Sequence, residues 1–283
     1  MPPTRPRRPP CHERTNEQRP CMRVIAIASP LGGTGRTTLT AHLATLLARQ
    51  GQRSLAVELC AQNLLGRHLG MQEPSAKGWA SLAAAGQWWA DGSFDNSDGV
   101  AVLPFGAASM DTLDALHRQL QAQPRWLLDQ IELLDIPADC TVLLDTPLWP
   151  SPLAQAALRC ADAVLVTLEA SARACAALGS VQALLQTAMA APTEQGVLVT
   201  RFDPRRISHR EALQTLREQW GGQLVPYTLH EDENIARALA RAMCVGSFAP
   251  QAQSAHDLQG VCNWLAGQRA APPSMLLAGA APQ

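Results

Sequence analysis

Three things are scarce in this 283-residue chain, and each scarcity removes a class of function. Net charge is the first: 23 Lys and Arg stand against 24 Asp and Glu, a formal −1 at pH 7. So balanced a chain has no global basic field for nucleic acid; any such contact is confined to a local patch, and no specific nucleic-acid partner is expected. Long apolar runs are the second. No stretch of about 18 apolar residues is present to span a bilayer, and no apolar segment follows the N-terminal arginines as a secretory signal requires. Paired cysteines are the third. The eight cysteines include no C-x-x-C and no His/Cys spacing of a zinc site, which predicts reduced thiols in a cytoplasmic protein. Cys140, Cys160 and Cys175 sit in or beside apolar segments, where a thiol packs as a small hydrophobe.

What remains is ample apolar content, 47% of residues, with 17% charged. That suits one large α/β domain with a well-buried core. The first 22 residues hold six prolines and five arginines with almost no aliphatic side chains. They are expected to be a disordered extension, with Met22 a candidate natural start, and the Ala/Pro-rich residues 268–283 a flexible tail. A single nucleotide-binding domain is expected over 23–267.

The organising stretch begins at Arg23. An apolar run, Val24 to Ala28, precedes Ser29-Pro30-Leu31-Gly32-Gly33-Thr34-Gly35-Arg36-Thr37-Thr38, and leucines 39, 43, 46 and 47 then recur at helical spacing until Gly51. This predicts a strand, a phosphate loop and a helix. Glycines between a buried strand and a helix N-terminus let backbone N–H groups approach an oligophosphate, and the helix dipole adds to the attraction. Arg36 supplies charge where the phosphate-loop pattern has lysine, and the Thr37 hydroxyl is placed for Mg²⁺. Pro30 and Arg36 both depart from that pattern.

Further along, Ser54–Leu59 predicts a short buried strand carrying Glu58 at its end, a candidate for a Mg²⁺ or water contact or for a weak catalytic role. Trp79, Trp88 and Trp89 predict one amphipathic helix whose large apolar face serves either the core or a partner. Val100–Leu103 reads as a strand, and Met110–Leu134 as helix broken at Pro124. Cys140–Leu144 predicts an apolar strand ending in Asp145, where a phosphate-loop protein faces its metal shell. Strands at Ala163–Leu168 and Gly196–Thr200 flank a helix over Ser171–Met189. A last strand is expected near Gln223–Tyr227, with helices near Glu233–Arg241 and Ala255–Leu265. Alternating strand and helix predicts an α/β fold: a mostly parallel, doubly wound sheet with helices on both faces and ligands at the strands' C-terminal ends.

Together these residues resemble the ParA/MinD family of deviant phosphate-loop ATPases, of the SIMIBI type, across most of Arg23 to Leu265. The loop Gly32–Thr38 is similar to the family's K-G-G-x-G-K-T-T; Glu58-Leu59-Cys60-Ala61-Gln62 occupies its D-x-D-P-Q; Asp145-Thr146-Pro147 matches its D-x-P; and Glu231-Asp232 through Ala238 resembles its E-D-x-x-v-x-x-A. Asn63-Leu64-Leu65, Gly78-Trp79-Ala80, Leu103-Pro104-Phe105-Gly106, His230–Glu233 and Cys60 narrow the resemblance to the BcsQ (YhjQ) branch of bacterial cellulose synthase operons.

The resemblance implies a cytoplasmic homodimer that binds ATP with Mg²⁺ and helps assemble or position the inner-membrane cellulose synthase complex through its other subunits. It places Gly32, Gly33, Thr34, Gly35, Arg36, Thr37, Thr38 and Thr200 on the nucleotide, with Thr37 and Asp145 on the metal and Thr200 where the family often has an adenine-reading asparagine. Leu31 replaces the family's signature lysine, Cys60 its second aspartate and Arg36 its loop lysine. Losing a transition-state contact of that kind costs on the order of 100- to 1000-fold in rate, which predicts weak or absent hydrolysis. An active partition-type ATPase and a nucleotide-free scaffold are the competing expectations.

Overall fold

The computed structural model describes residues 22–134, 136–188 and 193–268. Apart from Met22 and Gln268, the expected N-terminal extension and C-terminal tail lie outside the described residues. β1 (Arg23–Ala28) leads to α1 (Arg36–Arg49), β2 (Ser54–Glu58) and the short helices α2 (Leu65–His68) and α3 (Trp79–Ala84). β3 (Phe94–Asp95), β4 (Val100–Leu103), α4 (Met110–Ala122), α5 (Trp126–Leu133), β5 (Thr141–Asp145) and α6 (Pro152–Cys160) follow. Next come β6 (Ala163–Glu169), α7 (Ala172–Ala176), α8 (Leu178–Ala188), β7 (Glu194–Phe202) and α9 (Ile207–Trp220). β8 (Leu224–His230), α10 (Glu233–Ala240), α11 (Val245–Phe248) and α12 (Gln253–Gln268) close the described chain.

The strands form an eight-stranded sheet in the order β3-β4-β2-β5-β1-β6-β7-β8, parallel except where β3 meets β4. Every residue of β1 is buried, as expected of a central parallel strand covered on both faces. Its side chains divide between two cores. Val24, Ala26 and Ala28 meet Leu127, Leu153 and Val181 on one face; Ile25 and Ile27 meet Leu39, Leu43, Val245 and Val261 on the other. Strand order runs outward from β1 in both directions, so the C-terminal ends of β1, β2 and β5 open onto one crevice, where an open α/β sheet takes its ligand.

Glycine sets the helix ends in two places. Gly51 (φ 78°) follows α1, its amide bonding Ala48 O while the Gln52 amide bonds Leu47 O. Gly86 (φ 67°) ends α3 the same way, with Gly86 N on Ala83 O and Gln87 N on Leu82 O. Both are Schellman closures, which need a left-handed residue.

The second closure corrects the expected three-tryptophan helix. Only Trp79 lies on α3; Trp89 starts a separate 3₁₀ turn, Trp89–Gly92. Trp79 and Trp89 are both buried and meet edge to face at 6.0 Å, whereas Trp88 is 42% exposed. The helix expected over Ser171–Met189 is likewise two helices within the described residues, interrupted at Ala177. α7 packs on α9 while α8 packs on α6, and one straight helix cannot lie along both. The break expected at Pro124 falls between α4 and α5, and Cys140 and Cys160 are buried in the core.

Candidate functional site

The turn between β1 and α1 is held open by its own geometry. Gly33 (φ 79°) and Gly35 (φ 85°) are left-handed, conformations that L side chains adopt only at a cost. Thr34, fully buried, ties the loop to two other strands. Its hydroxyl lies 2.8 Å from that of Thr167 on β6, and its carbonyl accepts from the Thr200 hydroxyl of β7 at 2.9 Å. Gly32 and Gly33 are exposed, and the helix starts at Arg36 with no side chain capping it. The first amides of α1 therefore have no intrahelical acceptor and are available to an anion.

A cavity of about 530 Å³ runs from this loop toward β8 and α10. Gly33, Thr34, Gly35, Arg36, Thr37 and Thr38 line one end, with Glu58, Cys60 and Gln62 beside them; Leu229, Ile235, Ala236, Leu239 and Leu258 line the other. The site thus joins an amide- and hydroxyl-rich pole to an apolar one. Thr200 lines it too, but its hydroxyl is bonded at Thr34 O and Leu168 O. Thr200 fastens the loop to the sheet, and its one proton is already committed to a carbonyl.

Two carboxylates stand behind the loop. Asp145 and Glu58 are paired in register at the ends of β5 and β2, both fully buried. Asp145 has no hydrogen bond on either oxygen within normal distance and angle among the described residues. Burial raises its pKa to about 6, against the opposing pull of the Thr37 hydroxyl and the Arg36 charge. Glu58 accepts from the Leu65 amide through Oε1 at 2.9 Å, and its Oε2 has no partner among the described residues. Burial, opposed by the Leu65 amide and reinforced by Asp145, raises its pKa to about 8.

An unpaired buried carboxylate is costly unless a cation arrives. Asp145 beside Thr37 would offer oxygen donors of the kind Mg²⁺ prefers. Among the described residues no cluster of three or more His, Cys, Asp or Glu could hold a metal ion without such help.

The three substituted positions are all accounted for. Leu31 is half-buried against the core. The Cys60 thiol lies 3.7 Å from the Asp145 carbonyl, and burial pushes its pKa far above the ordinary thiol value, so it is a neutral donor. Arg36 Nη1 donates to the Thr146 carbonyl at 2.8 Å, fixing its guanidinium against the end of β5.

The structure adds residues that carry no sequence signal. His42 and His68 are buried and meet at 5.6 Å, with pKa values lowered by burial to about 4 and about 3. His42 Nε2 accepts from the Val245 amide at 2.9 Å, so Nδ1 carries the proton and donates to Thr38 O at 2.6 Å. Arg173 and Arg201 reach the loop from α7 and β7, donating to Gly32 O at 3.1 Å and Gly33 O at 3.4 Å.

A profile described as "Cellulose biosynthesis protein BcsQ" matches residues 22–265, nearly the whole described chain. The chain belongs to the BcsQ family. It is 27% identical over 258 residues to the cellulose biosynthesis protein BcsQ of Escherichia coli, covering 86% of this chain and 94% of that one. It is 29% identical over 241 residues to the chromosome-partitioning ATPase Soj of Thermus thermophilus, covering 83% and 92%. In architecture it is similar to the septum site-determining protein MinD of Pyrococcus horikoshii, solved with Mg-ADP, at TM-score 0.69 and 21% identity over 88% of this chain and 97% of that one. A McdA variant of Cyanothece in complex with ATP matches at TM-score 0.71 and 21% identity, covering 87% and 96%. These likenesses show that the chain has the MinD/ParA phosphate-loop fold.

Proposed function

We propose that this chain binds ATP with Mg²⁺ and serves as a dimer-forming assembly or positioning factor for a bacterial cellulose synthase complex, hydrolysing ATP weakly or not at all. Asp145 carries the reading: a fully buried carboxylate beside Thr37, neither of whose oxygens meets a hydrogen bond of normal distance and angle among the described residues. On this reading Gly32 to Thr38 hold the phosphates, Thr37 and Asp145 hold Mg²⁺, and Glu58 sits behind the metal site. Bound Mg²⁺ would neutralise phosphate charge and bridge it to the protein. The cellulose role rests on family membership, and the partners on that reading are the synthase subunits at the cytoplasmic face of the inner membrane. No helix among the described residues is long and apolar enough to cross a membrane.

Slow hydrolysis follows from the substitutions. A leucine at position 31 places no charge on a phosphoryl group, a neutral thiol at 60 cannot act as a carboxylate, and Arg36 is a planar fork where the loop pattern has a compact ammonium. Calorimetric titration with AMPPNP tests the nucleotide half directly. Binding in the presence of Mg²⁺, weakened by EDTA, is expected; absence of binding at millimolar ligand would refute it. The likeness to Soj favours the rival reading of an active ATPase, and steady-state turnover comparable to that enzyme's would establish it.

A further inference from the structure

Two buried histidines hold Thr38. His42, one turn along α1, donates through Nδ1 to the Thr38 carbonyl at 2.6 Å, and His68 Nε2 lies 3.4 Å from the Thr38 hydroxyl oxygen. Thr40, two positions on, gives its hydroxyl proton to Arg36 O at 3.0 Å, the ordinary back-bond of a helical threonine. Thr38 makes no such bond. The carbonyl one turn before it, Thr34 O, accepts the Thr200 hydroxyl instead, and His68 is the one partner of the Thr38 hydroxyl among the described residues. His68 is 4% exposed, and its Nδ1 has no partner among the described residues. Its ring is held from outside α2: Arg67 donates to Leu239 O and Ala240 O at 3.3 and 2.9 Å, and the Cys244 thiol lies 3.4 Å from His68 O. Thr38 and His68 both line the cavity.

We infer that His68 is a positioning residue for the bound nucleotide: its Nε2–H holds the Thr38 hydroxyl oxygen, which leaves the hydroxyl proton for an anionic oxygen of the ligand. The inference rests on the nucleotide reading. Burial keeps the His68 ring neutral, so it has one proton to place. A buried N–H without an acceptor is rare, and Nδ1 has no acceptor among the described residues. The proton therefore lies on Nε2, the nitrogen that meets Thr38. A threonine hydroxyl has one proton and two lone pairs. His68 takes a lone pair, no carbonyl takes the proton, and the donor is left to the cavity beside the loop amides. Without the ring, the hydroxyl is free to turn onto Thr34 O, as Thr40 turns onto Arg36 O.

The test is a double-mutant cycle on the affinity for AMPPNP with Mg²⁺, using Thr38→Val, His68→Leu and the pair together. A hydrogen bond to a charged group is worth roughly 10- to 100-fold in affinity. Each single variant is expected to bind about 10-fold more weakly, and the double variant no more weakly than Thr38→Val alone, because the histidine acts only through that hydroxyl. His68→Gln keeps an N–H donor on a side chain of similar reach and is expected to stay within about threefold of wild type. A further readout needs no variant: nitrogen NMR of the labelled ligand-free protein is expected to show His68 neutral and protonated at Nε2. Additive losses in the double variant, no loss in Thr38→Val, a glutamine variant as weak as leucine, or a His68 proton on Nδ1 would each overturn the assignment. If His68→Leu does not fold, Thr38→Val, His68→Gln and the NMR measurement still decide it. Wild-type protein that binds no AMPPNP would instead refute the nucleotide reading, and the role of His68 with it.

Discussion

Glu58 and Asp145 end adjacent parallel strands directly opposite each other, two buried acids with three oxygens that meet no hydrogen bond of normal distance and angle among the described residues. Their proton affinities make the stability of the empty protein depend on pH. Glu58 holds its proton to about pH 8 when folded, whereas an unfolded glutamate ionises near 4.3. Its stabilising contribution is full below the unfolded value and is lost as pH rises through the folded one. Asp145 acts the same way between its ordinary value and about 6. His42 and His68 oppose them: their folded pKa values near 4 and 3 make stability rise with pH until about 6.5, where an unfolded histidine loses its proton. Above 6.5 only Glu58 of these four still titrates. The melting temperature of ligand-free protein is therefore expected to fall between pH 6.5 and 8, and Glu58→Gln to flatten that slope. A melting temperature that rises across the window in wild-type protein would contradict the assignment.

Asp145→Asn preserves shape and removes the charge. In the empty protein it is expected to be at least as stable as wild type at pH 8, since a buried anion has been deleted. Nucleotide binding should lose its response to Mg²⁺, with AMPPNP affinity in Mg²⁺ down on the order of 10- to 100-fold. Titration with and without EDTA reads both effects, and an undiminished Mg²⁺ response would place the metal elsewhere.

Gly78 is fixed by contact. A Cβ there would fall 2.3 Å from Gly106 N and 2.4 Å from the Phe105 carbonyl carbon. Backbone bonds on either side, Trp79 N to Pro104 O and Ala107 N to Ala76 O, prevent the two segments from parting. Gly78→Ala is expected to cost about 3 kcal/mol, the upper range for overpacking, read from the urea midpoint. A change below about 0.5 kcal/mol, typical of surface substitutions, would show that the segment yields.

The tryptophans separate cleanly. Trp79 is fully buried, packs edge to face on Phe105 at 5.1 Å, and its indole donates to Glu58 O at 2.6 Å. Trp79→Ala should cost about 3–5 kcal/mol and disturb the end of β2 where Glu58 stands. Trp88→Ala should stay within about 0.5 kcal/mol. Equilibrium denaturation of the two variants checks the contrast, which vanishes if Trp88 shares the core.

The main strands were legible because each is an apolar run buried on both faces, and Gly51 and Pro124 mark the breaks they cause. Asp145 was readable as an aspartate ending such a run. Less visible were features made by contact at a distance. The break at Ala177 has no proline, and its nearest glycine, Gly179, lies inside α8; the break arises because two short helices lie on different neighbours. Gly86, ending the first tryptophan helix, looked like one small residue among several. Leu31 and Cys60 were readable as substitutions, yet only the structure shows Arg36 turned onto Thr146 O. Arg173 and Arg201 were invisible as site residues, because nothing local reveals that two surface arginines converge on the carbonyls of Gly32 and Gly33. His42 and His68, 26 positions apart, meet only when α2 folds onto α1.

At its two margins the sheet is closed to strand addition. β3 offers only two residues, and β8 carries an exposed Pro226 that has no amide to donate. Both features discourage a neighbouring chain from extending the ladder. Among the described residues this leaves the helices and the mouth of the crevice as the surfaces for association, so that association and ligand occupancy are free to share one surface.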